Sequence, residues 1–275
     1  MNKDTLKRLK NCFDRIPELS TYTIDDFDIN PLAGYTNLNF HLKNEQHDWV
    51  LRIPKDKTNG YIDRTAEAHN TDIAYNLDLA PKCLWRDNSG YSLSNTIRQS
   101  RSLEVADLQY PEQLKQLVTA LLKLHQSNQA FQGTVDIDKL LTRYYQLMPK
   151  SKRQLLADLY SVASIKVKKV LRQTHKLVPS HNDLVLENIL LDSGSKTHRV
   201  WIIDWEYATM ASPYWDLATL CNQGQFTSAQ AEDLLSLYQN KAQVLDSNVL
   251  SDYRDILNAL STFWMTALAD EKIST

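Results

Sequence analysis

Apolar residues at Leu6, Leu9, Cys12, Phe13 and Ile16 keep the spacing of one helical face, and Pro17 closes the run. Past Thr21 the period changes to two. Leu38, Phe40 and Leu42 share one face, as do Trp49, Leu51 and Ile53 beyond a polar turn, so a β-hairpin is expected. Residues 62–77 return to helical spacing through Ala66, Ile73, Ala74 and Leu77. Cys83-Leu84-Trp85 and Tyr91-Ser92-Leu93 flank the turn sequence Asp87-Asn88-Ser89-Gly90 and predict a second hairpin, from which Ser94-Asn95-Thr96-Ile97 leaves the sheet. Pro111 opens a helix whose stripe of Leu114, Leu117, Val118, Leu121 and Leu124 is core, with His125 at its end as a packing histidine rather than a ligand. Further helices are expected over 136–148, 152–175, 215–222, 228–241 and 248–269. Two short strands around a Ser193-Gly194 turn interrupt them. The first 95 residues are thus strand-rich and residues 96–275 mostly helical, an α+β chain of two lobes with a boundary at 94–100.

Composition narrows the function. The 275 residues are 43% hydrophobic, enough for a real core. With 31 basic against 33 acidic residues there is no broad basic field for a polyanion, so no nucleic-acid partner is expected. The amino end lacks an apolar leader core and no run is long enough to span a bilayer, which points to the cytoplasm and to no membrane partner. Cys12, Cys83 and Cys221 are odd in number and far apart, which reads as free thiols rather than disulfides or a zinc site.

The chemistry concentrates in one stretch, His181-Asn182-Asp183 through Asn188, followed by the strand Val200-Trp201-Ile202-Ile203 and Asp204-Trp205-Glu206. H-x-D-x-x-x-x-N followed by an Asp after an apolar strand is how kinases hold a base against a hydroxyl and a metal against phosphates. Arg52 lies on the hairpin face opposite Trp49, Leu51 and Ile53, either as a grip for α and β phosphates or as an ordinary edge charge. Glu67, in the first turns of the next helix, is placed to pair with it. The turn Leu32-Ala33-Gly34-Tyr35-Thr36-Asn37 is either a phosphate cover or a plain loop.

These residues carry a resemblance. His181-Asn182-Asp183 to Asn188, Ile203-Asp204-Trp205-Glu206-Tyr207 and Asp216-Leu217-Ala218, with Gly34-Tyr35-Thr36-Asn37 and Val50-Leu51-Arg52 upstream, resemble the choline and ethanolamine kinase branch of the aminoglycoside phosphotransferase-like fold, which includes bacterial thiamine kinase. The resemblance implies a protein-kinase-like fold, with a small β-rich nucleotide-binding lobe over 1–95 and a larger helical catalytic and substrate-binding lobe over 96–275. It implies ATP and Mg2+ as cofactors and a small-molecule alcohol as substrate. By position, Asp183 resembles the base, with His181 buttressing its loop, and Asn188 and Asp204 resemble metal ligands. Glu206 would reach a second metal or the substrate cation, and Asp216 would tie the catalytic loop. Gly34, Thr36, Asn37, Arg52, Ser94, Asn95, Thr96 and Ile97 fall to the nucleotide, with Glu67 supporting Arg52. Trp205, Tyr207, Tyr214, Trp215 and Trp264 are aromatic candidates around a cationic acceptor, Tyr207 and Trp264 first. Choline or ethanolamine is the expected acceptor; the alternatives are thiamine, an aminoglycoside, or an inactive nucleotide-binding pseudokinase. Two departures stand out, a single glycine at Gly34 and Gln223 where choline kinases tend to carry an acid.

Overall fold

The computed structural model describes residues 3–34, 36–55, 62–173, 176–192, 199–239 and 244–271. The expected turn at Ser193-Gly194, Tyr35 of the glycine turn and the ends of two expected helices, at 174–175 and 240–241, lie outside the described residues. The chain forms two compact units, residues 1–101 with 191–207 and residues 102–190 with 208–275.

The first unit opens with helix α1 (Lys3–Arg15), then strands β1 (Asp28–Leu32), β2 (Asn37–Lys43) and β3 (Asp48–Pro54), helix α2 (Arg64–Asn76), and strands β4 (Cys83–Arg86) and β5 (Ser92–Asn95). The strands pair antiparallel in the order β1-β2-β3-β5-β4. Register sets Leu38 opposite Ile53, Phe40 opposite Leu51 and Leu42 opposite Trp49, so one face is apolar and closes over Leu9, Cys12 and Phe13 of α1 and Ile16 just after it. The alternate positions, Asn39 and Arg52 among them, face the other way.

β1 was not expected. It is an exposed edge strand containing Pro31, so it shows no alternation, and an edge is where a strand tolerates proline. The departure from β5 also shifts: Ser94 and Asn95 are still in the strand, paired with Val50 and Trp49. The connector therefore begins at Thr96. α2 starts where Asp63 caps it, accepting the N–H groups of Thr65 and Ala66, each at 3.0 Å.

The chain continues through β6 (Ser100–Ser102) into the second unit, which carries α3 (Pro111–His125), α4 (Ile137–Leu147), α5 (Lys150–Leu155), α6 (Ala157–Val170) and β7 (Val178–Ser180). β8 (Ile189–Asp192) and β9 (Val200–Ile202) follow, then β10 (Thr209–Ala211), α7 (Tyr214–Gln223), α8 (Ser228–Tyr238) and α9 (Ser247–Glu271). α9 packs along α4, α6 and α7, and fully buried Leu141, Val167, Leu217, Ile256 and Phe263 fill the space between them. The single helix expected over 152–175 is two, broken at Leu156, and no proline or glycine marks the break. β7 and β10 pair antiparallel, Ser180 against Thr209, and this short ribbon leads into the stretch His181 to Asn188. Among the described residues no helix is long and apolar enough to cross a membrane.

Candidate active site

In the second unit the motif leaves β7 at Ser180 and turns at Asn182, whose φ of 63° is left-handed, a conformation asparagine tolerates better than most residues. The turn is held by Asp216, on the first turn of α7 and fully buried. Its Oδ2 accepts the His181 N–H at 2.9 Å and its Oδ1 the Asn182 N–H at 2.8 Å. Trp215 adds an indole N–H to the Asn182 carbonyl at 2.9 Å, and the Asn182 amide donates to Thr209 Oγ1 at 2.8 Å. His125 Nε2 lies 3.1 Å from Asp216 Oδ2, and its Nδ1 lies 2.7 Å from the Tyr238 hydroxyl. A carboxylate only accepts, so Nε2 carries its proton toward Asp216. Burial alone would raise the Asp216 pKa. The hydrogen bond from His125, its charge and the His181 contacts outweigh this and hold the carboxyl below the usual carboxylate range.

Asp183 follows the turn, half-buried, and its backbone carbonyl accepts the Val185 N–H at 2.8 Å. Asn188, at the end of a single 3-10 turn, gives its amide N–H groups to Asp183 O at 3.0 Å and Asp183 Oδ2 at 3.2 Å. The amide thereby fixes the carboxylate.

A residue that the sequence patterns did not single out lies nearby. Tyr144 on α4 has its phenol pKa pushed up by burial and, beyond the opposing effect of Arg143, by the Asp183 carboxylate. It lies within the electrostatic reach of Asp183.

In the first unit Arg52 is the centre. Its Nη1 is 2.5 Å from Glu67 Oε1, the expected ion pair, and 3.9 Å from Asp204 Oδ1, while its Nε donates to Gly90 O at 3.0 Å. Burial lowers the guanidinium pKa, but Glu67 first, then Asp204 and Glu206, raise it further. Glu67 is held low by the converse: burial opposes ionisation, and Arg52 and Arg64 overcome it. Asp204 sits after β9 with φ 64°, again a left-handed residue type that accepts the strain, and its side chain remains 31% exposed.

Glu206 lies in the one-turn helix Trp205–Tyr207. Expected to reach a metal or the substrate, it is instead enclosed, its side chain 1% exposed. Oε1 accepts the Thr36 hydroxyl at 2.9 Å; Oε2 accepts Asn37 Nδ2 at 3.2 Å and Arg64 Nη1 at 3.4 Å. Thr36 and Asn37, expected to cover phosphates, are themselves buried with their side chains turned to this carboxylate. Gly34 begins the same turn, and a Cβ there would meet Asn37 O at 2.6 Å and Asn39 Nδ2 at 2.7 Å, so the single glycine is a steric requirement. Asn95 and Thr96 spend their N–H groups on Lys82 O and Asp48 O, at 2.9 and 3.0 Å, and Ile97 O accepts the Ser100 hydroxyl at 2.7 Å.

The aromatic candidates divide. Trp205, Tyr214 and Trp215 are buried core: the Trp205 indole donates to Ile202 O at 2.9 Å, and Tyr214 stacks on Tyr253 at 5.6 Å and accepts the Asp246 N–H at 2.7 Å. Tyr207, in the first unit, and Trp264, on α9 in the second, are half-buried.

The profile of the phosphotransferase enzyme family (APH) matches residues 28–247. The chain belongs to that family. It is 30% identical to the protein LicA of Haemophilus influenzae over 216 residues, 75% of this chain and 77% of that one. Against a second LicA sequence from the same organism, 30% identity runs over 214 residues, and the chain spans only 62% of that longer protein. The solved choline kinase LicA from Streptococcus pneumoniae superposes with a TM-score of 0.84 at 20% identity, covering 98% of this chain and 92% of that one. A LicA structure in complex with AMP gives 0.81 at 21% identity, covering 96% and 90%. At these identities the superpositions establish the fold, which is protein-kinase-like, α+β, with an antiparallel sheet in the amino-terminal part and a helical carboxy-terminal part.

Proposed function

We propose that this chain is an ATP- and Mg2+-dependent kinase that phosphorylates the hydroxyl of choline. The observation that carries the reading is the Asp183 loop: a partly exposed carboxylate, oriented by Asn188, on a turn whose two preceding N–H groups end on a buried aspartate. That arrangement holds a base still where a hydroxyl must lose its proton. Similarity to LicA proteins, of which the Streptococcus pneumoniae structure is a choline kinase, supports choline as the acceptor.

In this reading the acceptor oxygen bonds to the γ-phosphorus as the bond to the β,γ-bridging oxygen breaks. The proton passes to an Asp183 oxygen, and ADP leaves with the pair of electrons. Arg52, kept charged by Glu67, would grip the α and β phosphates, where negative charge grows on the leaving group. The donor set suits magnesium. Asp204 presents a partly exposed carboxylate, and Asn188, whose N–H groups are spent on Asp183, presents a carbonyl oxygen; both are the hard oxygen donors that ion prefers. When bound, Mg2+ neutralises phosphate charge. A cationic nitrogen on the acceptor calls for aromatic faces, and Tyr144, Tyr207 and Trp264 are the partly buried rings offered for it. Cytoplasmic ATP accords with this use.

The test is ADP release with MgATP against a panel of choline, ethanolamine, thiamine, an aminoglycoside and 3,3-dimethylbutanol. Choline should be turned over with the highest kcat/KM. Equal use of the neutral dimethylbutanol removes the cation site from the reading, preference for thiamine or an aminoglycoside replaces the acceptor, and no release with any alcohol leaves a nucleotide-binding pseudokinase.

A further inference from the structure

We infer that Glu206 is a positioning residue rather than a ligand, and that Arg64 is its partner: together they clamp the Thr36-Asn37 turn and so set the affinity for ATP. The inference rests on the reading above only in taking that turn and Arg52 as the nucleotide grip.

Both Glu206 oxygens are already engaged by protein donors inside the first unit, Thr36 on one, Asn37 and Arg64 on the other. A hydrated cation reaching that carboxylate would have to displace them in a pocket with 1% of the side chain exposed. Arg64 is enclosed too, at 7%, and its Nη1 also lies 2.7 Å from Glu67 Oε2, three residues on in the first turn of α2. The other oxygen of Glu67 holds Arg52. The chain of contacts therefore runs Arg52, Glu67, Arg64, Glu206, Thr36 and Asn37, with alternating charge, so that two buried guanidinium groups balance two buried carboxylates.

The place is shaped for this arginine. Gly90 has φ +95°, and a Cβ there would lie 2.6 Å from Arg64 Nε, so the guanidinium occupies the space a side chain would take. The neighbouring Gly90 carbonyl accepts from Arg52. One glycine thus seats one arginine and anchors the other. The planar guanidinium lies against that glycine while its Nη1 reaches both Glu67 and Glu206; a lysine ammonium, a point charge on a flexible stem, has no such face to fill the space. The result is that the phosphate-gripping arginine and the glycine turn share one network.

The experiment is a double-mutant cycle with Thr36→Val, which removes one hydroxyl with little change of shape, and Arg64→Lys. Initial rates give the KM for ATP, kcat, and the Mg2+ concentration for half-activation at saturating ATP. Each single variant should raise the ATP KM about fivefold, with kcat within about twofold, and the double variant should be no worse than the poorer single one. Glu206→Gln should likewise raise the ATP KM while leaving Mg2+ half-activation in place. Multiplying effects in the double variant would mean that Thr36 touches nucleotide independently and would overturn the clamp. So would a Glu206→Gln protein needing about tenfold more Mg2+ at unchanged ATP KM, the behaviour of a lost ligand. Urea unfolding of the unliganded cycle proteins reads the same coupling without turnover: non-additive losses are expected, and additive losses overturn the clamp even if no alcohol is phosphorylated. An inactive wild type with coupled unfolding defeats the functional reading alone.

Discussion

Replacing Asp216 by asparagine keeps the shape of a fully buried side chain and removes its charge, and the structure fixes what that costs. Three donors converge on the carboxylate: the N–H groups of His181 and Asn182, and His125 Nε2. They occupy both oxygens, so either orientation of the new amide sets an NH2 group against a backbone N–H. One bond is lost and the remainder become neutral. A hydrogen bond to a charged acceptor contributes about 1.5–3 kcal/mol and a neutral one about 0.5–1.5 kcal/mol. Relief from burying a charge offsets part of the loss, leaving a net destabilisation of about 3 kcal/mol, a change of ~10² in the folding constant. The pH dependence has a definite sign. The folded carboxyl titrates below its ordinary range, so its stabilisation is complete above the unfolded value of about 3.9 and is lost as pH falls through the lower folded value. Urea unfolding of wild type and Asp216→Asn, followed by tryptophan fluorescence, should therefore show a gap that is constant from about pH 8 to 5 and narrows below about pH 4. A gap under about 1 kcal/mol would refute the account of the donors. A gap that closes between pH 8 and 5 would assign the pH dependence to a histidine instead.

Three other outcomes follow from the same geometry. Asp183→Asn should lower turnover about a thousandfold while calorimetry finds ATP bound as before, because the amide keeps the contacts of the loop but cannot take the hydroxyl proton. Arg52→Ala should reduce kcat/KM more than Glu67→Ala, and the double variant should reveal about 1–3 kcal/mol of coupling; zero coupling would mean the pair does not act as a unit. Tyr144→Ala should raise the acceptor KM about tenfold with ATP KM unchanged, and an unchanged acceptor KM would remove Tyr144 from the cation site.

The parts of the fold that could be read from sequence are those whose period is enforced by a buried face. The β2 and β3 alternation is legible because Phe40, Leu42, Leu51 and Ile53 all close on α1. β1 is not, because an exposed edge puts no demand on alternate positions. The α5 and α6 break is equally silent, since it lies in backbone angles at Leu156 and not in a breaker residue. At the site, the kinase pattern placed Glu67 to pair with Arg52 and the family resemblance placed Asp216 at the loop, and the side chains meet in those arrangements. Arg64 was beyond reach: it sits in a common helix-start composition, and only the folded approach of Glu206 and Gly90 gives it meaning. The aromatic cluster after Asp204 misled for the ordinary reason that large rings fill cores, as Trp205, Tyr214 and Trp215 do.

Five motif carboxylates separate into two kinds once their exposure is known, a division that residue type and spacing cannot make. Glu67, Glu206 and Asp216 are sealed, with side chains 8%, 1% and 0% exposed, and each is surrounded by N–H or O–H donors from its own unit. Removing such a charge from water costs several kcal/mol, which only a full set of donors offsets, so a sealed carboxylate is already committed to the groups around it. Asp183 and Asp204 keep part of their surface in solvent, and each is carried next to or on a left-handed residue that a helix or strand would not supply. Chemistry that exchanges a proton or a hydrated ion with the medium needs the second kind, while holding a loop in one geometry needs the first. By that criterion the Asp-Trp-Glu motif is one carboxylate open to solvent followed two residues later by a sealed one that accepts from Thr36 and Asn37 of the neighbouring glycine turn.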